Sequence, residues 1–135
     1  MCLRQLESLL ANSLMLNLSM YTHGAKLMRT VELLQYILQP GTGQEFHEIM
    51  AGKSAPLHRE AGIDIVAFGC SLHDEDSYYL LRAFDNIEHM KASQEAFYES
   101  EAWQEGPRAA IIERIKTSVK SVITLPEAVI DGLRN

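Results

Sequence analysis

The sequence predicts an α+β domain of element order β-α-β-β-α-β. Three observations lead there. Two apolar, aromatic-rich runs, residues 63–72 and 78–84, flank the polar cluster His73-Asp74-Glu75-Asp76 and read as a β-hairpin. A stretch of helical spacing precedes that hairpin and another follows it. A further β-rich run closes each end, VELLQYIL at 31–38 and VITL at the end of 119–125.

Length and composition bound the possibilities. The chain has 135 residues, 47% of them hydrophobic, which suits one domain with a real core. A net charge of −6 argues against nucleic acid, whose phosphates require a basic face, and against an anionic membrane surface. No run of ~18 apolar residues is present, so no membrane-spanning helix is expected. Cys2 and Cys70 are the only cysteines and read as reduced thiols in a cytoplasmic protein.

Residues 1–27 read as an N-terminal extension outside the core, with Met28 an alternative start for the compact domain. A weak helix packing on the domain and a targeting peptide are the other two readings. Glu7 and the polar residues Asn12, Ser13, Asn17 and Ser19 spoil a secretory signal. The domain itself spans 28–126.

The first strand, 31–38, has no strongly polar face, so both its sides should be covered. Pro40-Gly41-Thr42-Gly43 breaks it. Thr42 with Glu45 three residues on forms a capping-box pattern. The first helix covers 43–61, with Phe46, Ile49, Met50, Lys53 and Leu57 as its stripe. Pro56 should kink or restart it, and Gly62 suits its C′ position. After the hairpin, Asp85-Asn86 caps a second helix over 87–99. Helical pattern continues past Ser100 to 115, interrupted by Gly106-Pro107. The last strand is 119–125, and 127–133 is a short terminal helix or part of a C-terminal tail, 127–135.

This is the ferredoxin-like plan, a four-stranded antiparallel sheet with helices on one face. Alternation divides the strand residues into two sets. We assign Leu33, Ile37, Ile65, Ala67, Tyr79, Leu81 and Ala83 to the helix face. The opposite face then carries Leu34, Tyr36, Leu38, Val66, Phe68, Tyr78, Leu80 and Phe84. A monomer would expose these as a large apolar patch. Pairing two sheets about a two-fold axis would bury it, so a homodimer forming an α/β barrel is expected, with a cavity between or within the sheets.

Glu32, Tyr36, Phe68, Tyr78, Arg82 and Phe84 share that second face, with Cys70 in alternation with Phe68. Aromatic walls with a few charged groups suit a small organic ligand. Arg82 would hold a carboxylate or enolate by a forked contact, with His47 or Tyr78 as proton partner. The opposing reading is that Glu32 and Arg82 pair with each other and the aromatics are interface core. An activated cysteine needs a neighbouring cation or base, for which Arg82 on the adjacent strand is the candidate, and Cys70 reads as a small hydrophobe before it reads as a nucleophile.

Metal and phosphate signals are weak. His47-Glu48 begins a zincin pattern that Ala51 ends. His47 and His58 would lie ~16 Å apart on a straight helix, too far for one metal. His73, Asp74 and Asp76 form a solvated turn. Gly41-Thr42-Gly43 lacks a third glycine and no Gly-Lys-Ser/Thr follows. No cofactor or metal is expected.

The pieces VELLQYILQPGT, APLHREAGIDIVAF, YYLLRAFDNIEH and ESEAWQ, in this order and spacing, resemble the NIPSNAP family of the dimeric α/β-barrel superfamily over about residues 30–125. The resemblance implies a small, generally cofactor-free fold and no settled activity, since the superfamily includes monooxygenases, lyases and binding proteins. The chain departs from the family pattern. Leu34 stands where a basic residue is frequent, Arg82 where an aromatic is, and Leu80 near a usual His. Its positive charge has moved from the first strand to the third, so no ligand preference is carried over.

Two function classes follow. One is a small-molecule-binding or enzymatic barrel, with a cofactor-independent oxygenase, isomerase or lyase as the enzymatic form. The other is a non-catalytic dimerisation or interaction module. A haem- or metal-binding barrel would need His47 or His58 as axial ligand.

Overall fold

The computed structural model describes residues 27–135, and the readings for the N-terminal extension fall outside that range. Four strands form one antiparallel sheet of order β2-β3-β1-β4: β1 Met28–Leu38, β2 Asp64–Cys70, β3 Ser77–Phe84 and β4 Ile115–Pro126. Between β1 and β2 run α1 (Gly43–Ile49), a π-helical turn (Met50–Ser54) and α2 (Ala55–Glu60). Between β3 and β4 run α3 (Ile87–Glu99), α4 (Glu101–Gln104) and α5 (Arg108–Arg114), and α6 (Glu127–Leu133) ends the chain. The ferredoxin-like order is therefore present.

The two faces of the sheet are exchanged relative to the sequence assignment. Leu34, Leu38, Tyr78, Leu80 and Phe84 lie beneath the helices, packed with Phe46, Met50, Phe97, Trp103 and Ile111. Leu33, Ala67, Tyr79, Leu81 and Ala83 lie on the other face. Alternation fixes which residues share a side but not which side meets the helices. Large side chains meet the helix layer here, because each adds ~1.5–3 kcal/mol of burial that Ala67 and Ala83 cannot match. Ile65 and Val66 are the exceptions and keep their assigned sides, Ile65 in the helix-side core and Val66 on the other face. The cause is a register shift between Ile65 and Ala67, which inserts one residue and breaks the period of two.

The first helical segment is less simple than a kinked α-helix. Phe46, Met50, Ser54 and His58 are all buried, each four residues after the last. In a straight α-helix every fourth residue drifts by ~40°, so three such steps leave one face. The wider π-turn over Met50–Ser54 absorbs that drift and keeps the four aligned. Pro56 then sits in the first turn of α2, where its missing N–H is tolerated. Lys53 is exposed rather than lying along the stripe.

The expected capping box does not form. The Thr42 hydroxyl donates to the Gln39 carbonyl instead. The start of α1 is held by Asp76 of the hairpin turn, whose carboxylate accepts from the backbone amides of Gly41 (2.9 Å) and Gly43 (3.0 Å). Glu45 is engaged by Arg114 at 2.9 Å. Approach is so close that a Cβ on Gly43 would lie 1.8 Å from the Glu75 carbonyl oxygen. Other local signals hold: Gly62 takes φ +79° after α2, and the Asn86 side chain accepts from the His89 amide.

On the face away from the main helices, α6 lays the fully buried Ile130 against Val31, Val66, Ala67 and Ala83. Arg134 grips Asp64 at 2.8 and 3.0 Å, and Asn135 donates to the Phe68 carbonyl. Among the described residues nothing covers the rest of that face, where Ile37 is 48%, Val119 62% and Ile123 38% exposed. Among the described residues, no helix is long and apolar enough to cross a membrane.

Candidate functional site

The exchange of faces moves the candidate site. Its cavity lies inside the domain, between the sheet and the helices, and measures about 400 Å³. Met50, Leu80, Trp103, Ile111 and Ile115 supply its apolar wall, and Tyr36, Ser54, His58, Arg82 and Tyr98 its polar one. Gln104, Arg108 and Ile112 are exposed and mark the mouth.

Arg82 is the centre. Its side chain is only 2% exposed, yet it carries a charge that no protein environment removes. The compensation is nearly complete. Its Nε donates to Glu32 Oε1 at 2.8 Å and its Nη2 donates to the same oxygen. Its Nη1 donates to His58 Nε2 at 3.0 Å and to the Tyr98 hydroxyl at 2.9 Å. Burial opposes the charge, but Tyr98 and Glu32 outweigh it and hold Arg82 above its ordinary pKa.

Glu32 is fully buried directly opposite Arg82 in the β1–β3 register. Its second oxygen accepts from Gln94 Nε2 at 2.6 Å and lies 3.5 Å from Lys120 Nζ. The pairing of Glu32 with Arg82, open in the sequence, is thus made. It sits under the helices rather than at a face between subunits.

His58 enters from α2 because the π-turn aims it at the sheet. Its Nδ1 donates to the Ser54 carbonyl at 2.7 Å, and burial is the main cause of a pKa lowered to about 4, with Arg82 adding to it. The ring packs on Phe97 with centroids 4.2 Å apart. With Nε2 already accepting from a cation, His58 is poorly placed as an axial ligand. Among the described residues, no three His, Cys, Asp or Glu side chains gather to hold a metal.

Tyr36 lines the cavity, and burial raises its phenol pKa, which keeps the hydroxyl protonated. The remaining sequence candidates lie elsewhere. His47 and Tyr78 share a 2.7 Å hydrogen bond beside Phe68, on which His47 packs at 6.0 Å. The Cys70 thiol points at the Gly43 carbonyl (3.8 Å), and its pKa is raised by burial and then by Glu75 and Asp76. That is the reverse of nucleophile activation. Phe84 meets the His89 ring at 5.9 Å. None of these five lines the cavity.

Sequence reasoning thus found Glu32, Tyr36 and Arg82, and missed Ser54, Gln94, Tyr98 and Trp103. In the sequence His58 stands out only as a candidate metal ligand. The spacing 46-50-54-58 was the available signal, since it puts a serine and a histidine on a buried apolar stripe.

Comparison with known proteins supports the fold. No family model and no curated protein matches the chain. Among solved structures, an uncharacterized NIPSNAP-like domain protein from Burkholderia xenovorans aligns with a TM-score of 0.66 at 18% identity, covering 75% of this chain and 86% of that one. A NIPSNAP family protein with unknown function from Agrobacterium tumefaciens aligns at 0.66 and 11% identity, covering 73% and 88%. A putative antibiotic biosynthesis monooxygenase from Nitrosomonas europaea aligns at 0.52 and 14% identity, covering 71% and 95%. The chain therefore has the ferredoxin-like fold of NIPSNAP domain proteins, as its sequence pieces suggested.

Proposed function

We propose that this domain binds a small, largely apolar organic molecule in the cavity between its sheet and its helices. The observation that carries this reading is a buried arginine facing an apolar space of about 400 Å³. A structural ion pair alone does not require a cavity. Well-packed apolar residues would fill that volume at no electrostatic cost. The Tyr36 and Tyr98 hydroxyls and the remaining Arg82 hydrogen favour a ligand oxygen at the inner end. The putative antibiotic biosynthesis monooxygenase from Nitrosomonas europaea, with its similar fold, agrees with small-molecule use. Turnover without a cofactor, by an oxygenase, isomerase or lyase, would draw on the same groups, with Arg82 and the two phenols stabilising an oxyanion. His47 and Tyr78 have no part in this reading.

We further propose a homodimer joined through the open part of the other sheet face. Leu33, Leu81, Val119 and Ile123 supply an apolar patch there, and among the described residues β4 is an edge strand with no partner on its outer side. The apolar patch also supports the alternative, a non-catalytic dimerisation module. The two thiols in the sequence support a cytoplasmic location.

Native mass spectrometry of the full chain tests the binding reading. Retained small-molecule mass that disappears in Arg82→Met supports it. The single tryptophan, Trp103, lines the cavity, so added aromatic compounds should also quench its fluorescence. No retained mass and no quenching by any member of an aromatic acid and phenol panel would favour the module.

A further inference from the structure

Arg82 has five N–H hydrogens, and the hydrogen bonds account for four. Two go to Glu32 Oε1, one to His58 Nε2 and one to the Tyr98 oxygen. Among the described residues, one hydrogen on Nη2 is left without a partner. A carboxylate prefers two parallel N–H groups from one guanidinium, and this fork is already closed by Glu32.

The other polar groups around Arg82 are also donors. Tyr98 accepts from Arg82, so its own hydrogen points elsewhere. The Tyr36 hydroxyl makes no hydrogen bond to the described residues and stays protonated, chiefly through burial, with the Arg82 charge near enough to oppose that rise. The His58 lone pair is consumed by Arg82. Around Arg82 the cavity thus offers single hydrogens from Arg82, Tyr98 and Tyr36, with the Ser54 hydroxyl also in its wall and Gln104 and Arg108 at its exposed mouth. Around Glu32, moreover, two cations, Arg82 and Lys120, face one carboxylate. A partial or full negative charge on a ligand oxygen balances that set.

We propose that the cavity selects molecules that present one phenolic or enolic oxygen on an apolar body, held by Tyr36, Tyr98 and the last Arg82 hydrogen, and discriminates against carboxylates. This rests on the binding reading above. It replaces the forked carboxylate contact expected from the sequence, because the fork is occupied by Glu32.

The test compares 2-naphthol, 2-naphthoate and naphthalene, which share a ring system, by isothermal titration calorimetry at pH 7 with the full chain. 2-Naphthol should bind at least tenfold more tightly than 2-naphthoate. Tyr36→Phe and Tyr98→Phe should each weaken 2-naphthol five- to tenfold and leave naphthalene unchanged, with circular dichroism matching the parent in both and the thermal midpoint matching it in Tyr36→Phe, since only Tyr98 accepts from Arg82. If 2-naphthoate binds as tightly as 2-naphthol or more so, the single-oxygen inference fails while the cavity reading stands. Unchanged 2-naphthol affinity in both tyrosine variants would also overturn it. Silence from all three compounds would remove the cavity reading and this inference together.

Discussion

Arg82 donates an Nη1 hydrogen to His58 Nε2 across 3.0 Å, and this one contact fixes the state of the imidazole. A guanidinium offers no lone pair, so Nε2 must be the unprotonated nitrogen. The ring hydrogen is then on Nδ1, where it meets the Ser54 carbonyl. Protonating Nε2 would set donor against donor and cation against cation.

This gives a pH dependence with a definite sign. The folded pKa of His58 is lowered from 6.5 to about 4, by burial and then Arg82, against the opposing Ser54 contact. Between those values the unfolded chain binds a proton that the native one does not. Stability from this group is thus fully present above pH 6.5 and is lost as pH falls through about 4. The full effect is about 3 kcal/mol. Urea unfolding at several pH values should show the parent losing stability over this window by more than His58→Gln does. Parallel curves would disprove the assignment.

Glu32 and Arg82 should be unequal to their sum. Glu32→Ala leaves a buried, uncompensated guanidinium and should destabilise by about 3–5 kcal/mol. The double change Glu32→Met with Arg82→Met removes both charges and should recover most of that loss in chemical denaturation, while abolishing ligand retention. A double variant as unstable as Glu32→Ala would mean that packing, not charge, sets the cost.

Two glycines should respond in opposite directions to alanine. At Gly43 the added methyl meets the Glu75 backbone, which cannot yield as a flexible side chain could. A loss of at least ~1–3 kcal/mol is expected. At Gly52, in the π-turn, nothing lies within 4 Å of the new Cβ. Gly52→Ala should be neutral or stabilising by ~0.4–1 kcal/mol. Thermal midpoints of the two variants decide this directly.

If the open sheet face joins two copies, a charge there should separate them without unfolding either. Val119→Asp, at a position 62% exposed in the single chain, should shift the mass seen by sedimentation equilibrium from dimer to monomer. A parent that is already monomeric would refute the dimer. A Val119→Asp dimer would place the interface elsewhere.

Much of this molecule was readable from its residues. Hairpin, caps and apolar periods fixed the element order, because these are local consequences of backbone chemistry. Asn86 and Gly62 act where their types suggest. Alternation also put Glu32, Tyr36 and Arg82 on one side of the sheet, which is where the cavity needs them. Thr42 was misleading, because its cap is supplied by Asp76 from a turn 34 positions later in the chain.

The sequence by itself determined the order of elements and the parity of β1 and β3, since both follow from φ/ψ preference and a period of two, whereas the register shift in β2 breaks that period. Only the tertiary structure decided which parity lies beneath the helices. That choice depends on which pairing of faces buries more apolar surface, a sum over elements far apart in the chain. It also decided that His58 and Tyr98 join Arg82. His58 arrives through a π-turn that no periodicity of 3.6 anticipates, and Tyr98 from the second crossover. The residues that complete the site are brought together by packing, and packing is a property of the whole fold.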